Sequence, residues 1–113
     1  MIQDFLPLGH AEFHILLVLA DGDRHGYAIM SDIAEITNNS MKLGPGTLYA
    51  TIKRMLAAGW IEESDERPDP KLDDERRRYY RLTPKGRKVL AAESQRMLML
   101  VRHAQLKRIV KPA

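Results

Sequence analysis

The chain has 113 residues, 44% of them hydrophobic, with 18 Lys plus Arg against 15 Asp plus Glu and no cysteine. Without cysteine there is no disulfide framework, no thiolate metal site and no cysteine nucleophile, and a reducing cytoplasm is the expected compartment. The longest apolar run, Ile15 to Ala20, falls far short of the ~20 residues of a membrane span, and no signal-peptide pattern opens the sequence, so one soluble domain of modest stability is expected.

Leu8, Ala11, Ile15, Leu16 and Leu19 recur with helical spacing and stop at Asp21-Gly22-Asp23, which predicts a first helix over 8–19. Tyr27, Ile29, Met30, Ile33, Ala34 and Ile36 keep that period in a second helix, bounded by Gly26 and by Thr37-Asn38-Asn39-Ser40. Met41-Lys42-Leu43 is too short for a helix and stands as a short extended link. Gly44-Pro45-Gly46 lacks the Lys-Ser/Thr of a phosphate-binding loop and reads as a turn before a third helix, Thr47 to Ala58, ending at Gly59. Three short helices thus precede any clear strand. Trp60 to Ser64 and Arg78 to Leu82 are β-compatible, and the Asp-, Pro- and charge-rich segment between them predicts a hairpin with a mobile tip. Thr83-Pro84-Lys85-Gly86 then opens a fourth helix, with Thr as cap and Pro at the first helical position. It can run to about residue 108, roughly 25 residues or ~37 Å.

The net charge of +3 conceals opposing blocks. Residues 1–35 carry a net −5 and 62–75 a net −6, whereas 36–61 hold three bases and no acid, 76–88 seven bases and no acid, and 89–113 a net +4. Such segregation predicts a basic face built from a middle and a late segment, the footprint of a phosphate backbone. Helix, helix, short strand, helix, two-stranded hairpin is the order of a winged helix-turn-helix, whose third helix enters the DNA major groove while the hairpin touches the flank. The expected fold is therefore α+β, mainly α: a winged helix-turn-helix over 1–83 with its N-terminal helix, and a long C-terminal dimerisation helix over 84–113 in the same compact domain. A helical wheel of residues 47–58 puts Leu48, Ile52, Met55 and Leu56 on one face and Thr47, Ala50, Lys53, Arg54 and Ala57 opposite. Small residues there admit the backbone to base edges, Thr47 donates or accepts, and Arg54 offers a planar donor fork for guanine or phosphate. Tyr49 lies on the flank, suited either to the core or to a phosphate. Lys42, Lys71, Arg76, Arg77 and Arg78 complete the candidate DNA contacts; strand alternation leaves some of the arginines to pair with nearby acids, and Asp73, Asp74 and Glu75 at the tip should face away from DNA.

His25-Gly26-Tyr27, Leu43-Gly44-Pro45-Gly46-Thr47-Leu48-Tyr49, Ile52-Lys53-Arg54-Met55, Gly59-Trp60-Ile61 and Arg78-Tyr79-Tyr80-Arg81-Leu82-Thr83 together resemble the PadR family of bacterial transcriptional regulators, and the likeness covers nearly the whole chain. The short length resembles the smaller PadR subfamily. The resemblance implies a homodimeric repressor that reads DNA through residues 47–58 and dimerises through its N-terminal and final helices. It also implies a small aromatic or drug-like effector, although the final helix here lacks the tryptophan against which some members hold their ligand; Phe13, Met97 and Met99 are the candidate ligand residues.

The fourth helix points independently to a partner. Met97 to Val101 is apolar almost all round, and Leu90, Met97 and Ala104 repeat every seven residues with Glu93, Leu100 and Val101 between them. Leu6, Phe13, Leu90, Met97, Leu100, Val101 and Ala104 are the candidate dimer contacts, and twofold symmetry predicts a pseudo-palindromic operator. His10 and His14 have metal-pair spacing, but no carboxylate or thiolate set completes a site. His25 suits a helix cap and Trp60 the core. No nucleophile, base and orienting group can be assembled, so neither an enzyme nor a cofactor is expected. The partners expected are double-stranded DNA, a second copy and a small effector, with no membrane; the alternative is a winged-helix module whose basic face meets an acidic protein.

Overall fold

The computed structural model describes residues 1–64 and 78–111. A short 3-10 helix, Ile2–Phe5, leads into α1 (His10–Leu19), β1 (Arg24–His25), α2 (Gly26–Ile36), α3 (Pro45–Ala58), β2 (Ile61–Ser64), β3 (Tyr79–Leu82) and α4 (Pro84–Leu106). The strands form one antiparallel sheet in the order β1-β3-β2, with Arg24 opposite Tyr80 and Ile61 opposite Leu82. Ile15, Leu16 and Leu19 of α1, Ile29 and Ile33 of α2, Leu48, Ile52 and Met55 of α3, Trp60, Ile61 and Tyr80 of the hairpin and Val89 and Leu90 of α4 share one core. Among the described residues, no helix is long and apolar enough to cross a membrane.

The elements differ from the sequence expectation in four places, the first being that α1 starts at His10 rather than at residue 8. A strand does precede the second helix: Arg24–His25 adds to the free edge of β3, and two residues are too few to leave a period in the sequence. No strand forms at Met41 to Leu43. Pro45-Gly46 is the first turn of α3 rather than a separate turn, because proline at the first helical position lacks only an N–H that would be unpartnered there, with Gly44 as cap. The left-handed Gly59 (φ 78°) then ends α3.

The end of α3 is tied directly to the start of α4. Thr83 caps α4 by accepting from the Gly86 amide at 3.0 Å, and its hydroxyl donates to the Gly59 carbonyl at 2.6 Å. The Thr83 amide donates to the Trp60 carbonyl at 3.1 Å, and Lys85 Nζ donates to the Ala58 carbonyl at 3.1 Å. One threonine thus joins the two helix ends, and Gly86 packs so tightly on the Trp60 carbonyl that any Cβ there would overlap it. Trp60 is buried, with the Phe5 ring edge-on at 5.5 Å.

All four buried residues of α4, Gly86, Val89, Leu90 and Glu93, lie in its first ten positions. Glu93 is 1% exposed, accepting from the Leu8 amide at 2.6 Å and from Arg96 Nε at 2.5 Å, so it fastens the N-terminal segment to α4. The Arg96 hydrogen bond, then the Leu8 amide, hold its carboxyl below the ordinary carboxylate range against the opposing effect of burial. A depressed folded pKa contributes stability above the unfolded value and loses it as pH falls through the folded one. Chemical denaturation should therefore show stability declining below about pH 4.3, and Glu93→Gln should flatten that acid limb while lowering stability at neutral pH; an unaltered acid limb would remove Glu93 from this role.

Candidate nucleic-acid interface

Helix α3 presents two unlike faces. Leu48 and Met55 are fully buried, Ile52 and Thr51 nearly so, and Leu56 packs against the core, whereas Thr47, Ala50, Lys53, Arg54 and Ala57 are exposed. Thr51 is the buried member that hydrophobicity alone missed. Its hydroxyl donates to the Thr47 carbonyl at 2.7 Å, which satisfies it inside the core, and it accepts from Arg54 Nη2 at 3.3 Å. That contact draws the Arg54 guanidinium along the helix surface without burying it.

Tyr49 is half exposed on the flank of this face, and its hydroxyl lies against Gly26 so closely that a Cβ at 26 would collide with it. Tyrosine here braces α3 against the start of α2, where glycine leaves room for its ring. His25 caps α2, its Nδ1 accepting from the Ala28 amide at 3.1 Å, as its position suggested. Tyr79 approaches the His25 ring edge-on at 5.3 Å. Lys42 is exposed in the link between α2 and α3.

The described part of the wing carries its charge in pairs. Arg81 Nε donates to its ladder partner Glu62 at 2.9 Å, and Arg78, one residue before β3, donates through Nη1 to Glu63 at 3.0 Å. Exposed pairs of this kind hold little energy, so Arg78 keeps a guanidinium that a phosphate can recruit. Lys71, Arg76, Arg77 and the acidic residues Asp73, Asp74 and Glu75, together with the hairpin tip, lie outside the described residues.

The candidate dimer residues separate into two groups. Leu90 is 7% exposed and belongs to the core of its own chain, and Glu93 is buried at 1%, so neither is left open to a second copy. Helical spacing alone does not tell which turns of a long helix its own domain covers. Phe13 packs against the same core, and Leu6 and Met97 are partly covered. Leu98, Met99, Leu100 and Val101 form an exposed apolar band, Leu100 being 57% exposed, with Ala104 half-buried one turn on. Of the candidate ligand residues only Met99 lines the adjoining groove of about 450 Å³, whose walls include Leu6, Pro7, Gln95 and Arg96; Phe13 and Met97 lie outside it. His14 Nδ1 bonds the His10 carbonyl at 2.6 Å, and among the described residues no His, Asp and Glu cluster is arranged to hold a metal.

A helix seated on two others, a flanking hairpin and a helix that leaves the core define a winged helix-turn-helix. The chain belongs to the transcriptional regulator PadR-like family, whose model matches residues 15–92. It is 35% identical over 89 residues to a transcriptional regulator of Mycobacterium tuberculosis, covering 79% of this chain and 77% of that one. It is 36% identical over 90 residues to a 37.1 kDa transposon protein of Streptomyces fradiae; the match covers 80% of this chain but only 24% of that longer protein. Among solved structures, a transcriptional regulator from Clostridium thermocellum superposes with a TM-score of 0.70 at 28% identity, over 91% of this chain and 92% of that one. Bacillus subtilis PadR in complex with operator DNA shares the fold at a TM-score of 0.61 and 24% identity, over 76% of this chain and 47% of that one.

Proposed function

We propose that the protein is a homodimeric repressor that binds a pseudo-palindromic operator through the outer face of α3, with the wing on the flanking backbone. The observation that carries this is the exposed face of α3: Thr47, Ala50, Lys53 and Arg54 on a helix with no acid, its opposite side locked into the core. Small side chains and the planar donor fork of Arg54 on a rigid helix suit base edges, and the neighbouring Lys53 suits phosphate. The complex of Bacillus subtilis PadR with operator DNA supports this assignment by likeness of fold. A small aromatic or hydrophobic effector at the α4 groove would relieve repression by changing the spacing of the two reading helices.

Nuclease protection of the DNA upstream of the protein's own gene tests the proposal. A short footprint with twofold-related halves is expected, weakened by aromatic compounds that enter the groove. Absence of any specific footprint at physiological salt would instead favour an acidic protein as the partner of the basic face. The dimer rests on the apolar band of α4, which four successive exposed side chains make costly to leave in water. Leu100→Glu, at the most exposed residue of the band, should convert the dimer to a folded monomer in light scattering, and an unchanged mass would place the interface elsewhere.

A further inference from the structure

The groove beside α4 carries one charge on its walls, and that charge is already paired. Leu6 and Pro7 of the N-terminal segment form one side of its 450 Å³, and Ala92, Gln95, Arg96 and Met99, three or four residues apart along one face of α4, form the other. Among the described residues that line it, Arg96 is the sole ionisable side chain. Its Nε donates to Glu93 Oε1 at 2.5 Å and its Nη2 to Oε2 at 3.3 Å, a fork that uses one edge of the guanidinium. The Arg96 side chain is still 40% exposed, so its other edge remains accessible. Glu93 itself is 1% exposed and also accepts from the Leu8 amide at 2.6 Å.

Ions meet this arrangement at a disadvantage. An anion that drew the guanidinium away would leave Glu93 buried and unpaired, which is costly. An anion on the free edge would stand close to the Glu93 carboxylate, and the attraction of Arg96 would be offset by that like charge. A cation would meet the guanidinium, while the carboxylate that could attract it is buried and already bonded. A neutral acceptor avoids both conflicts. Its carbonyl can accept from the free edge of Arg96, its N–H can donate to the exposed Gln95 amide, and a flat apolar body can cover Leu6, Pro7 and Met99.

We propose that the groove selects an uncharged planar aromatic molecule with a carboxamide-like edge, and that Glu93, without touching it, sets this choice by neutralising Arg96. Glu93 is thus a positioning residue with two ties, one to the N-terminal wall through Leu8 and one to the guanidinium in the opposite wall. The inference rests on the effector groove of the proposed function and adds the charge class of the ligand.

Isothermal titration calorimetry of the full chain at neutral pH tests it with 2-naphthamide and 2-naphthoate, two probes of one shape and different charge. The amide should bind roughly tenfold tighter than the carboxylate, and Glu93→Gln, which leaves Arg96 without its counter-charge, should reverse the order by a similar factor. Ala92→Phe, which fills the groove, should abolish binding of the amide. Equal affinities or a carboxylate preference in the wild type, or an unchanged order in Glu93→Gln that circular dichroism shows to be folded, overturns the charge selection. The wild-type ratio decides by itself if Glu93→Gln melts early. Binding of neither probe, or amide binding that Ala92→Phe leaves intact, overturns the groove as the effector site, a separate result.

Discussion

Gly86→Ala is expected to unfold the protein more readily than any other single methyl addition to its glycines. The Cβ of residue 86 would overlap the Trp60 carbonyl oxygen, a backbone atom that also accepts from the Thr83 amide and cannot rotate away. Relief requires α4 to move off the end of α3, which breaks the links Thr83 and Lys85 make to Gly59 and Ala58. Overpacking against fixed backbone costs about 3 kcal/mol, so thermal denaturation should show a Tm lower by roughly 10–20 °C. Gly46→Ala is the control. It lies in the first turn of α3 with nothing near its Cβ, and alanine in a helix should hold or slightly raise stability. Equal Tm values for the two variants would refute the close packing of α4 on Trp60. Because α4 carries the proposed dimer surface and α3 the proposed reading surface, the same junction transmits the position of one to the other.

Arg54→Ala is the counterpart on the functional side, with a large expected loss of operator affinity and almost none of stability. The guanidinium is exposed and its described contact is the 3.3 Å bond to Thr51, which retains its own bond to Thr47 when the arginine is removed. A base or phosphate contact from arginine is worth about 1–3 kcal/mol, so fluorescence anisotropy should show affinity roughly 5- to 150-fold weaker on the protected fragment. If Arg54 reads a base, the loss is concentrated on specific sequence and nonspecific binding changes little. If it holds a phosphate, both fall and the salt slope drops by about one. Wild-type affinity in Arg54→Ala would move the docking face off α3 altogether.

The amphipathic pattern of Leu48, Ile52 and Met55, the Thr83-Pro84 opening of α4, the glycine end of α3 and the acid-free charge of residues 36–61 are written locally. Each depends on spacing along a helix or on the backbone chemistry of one residue, so the winged-helix order and the polar face of α3 were legible in the sequence. The contacts that position that face were not. β1 exists only because β3 offers an edge, Thr51 is buried only because its hydroxyl finds the Thr47 carbonyl, and Tyr49 braces α3 only because Gly26 faces it. Likewise Leu90 and Leu100 look alike in a heptad count, yet one fills the core and the other lies 57% exposed. Local propensity and periodicity determine which residues can share a face. Which faces are covered depends on elements distant in sequence, and that was decided only when the helices packed.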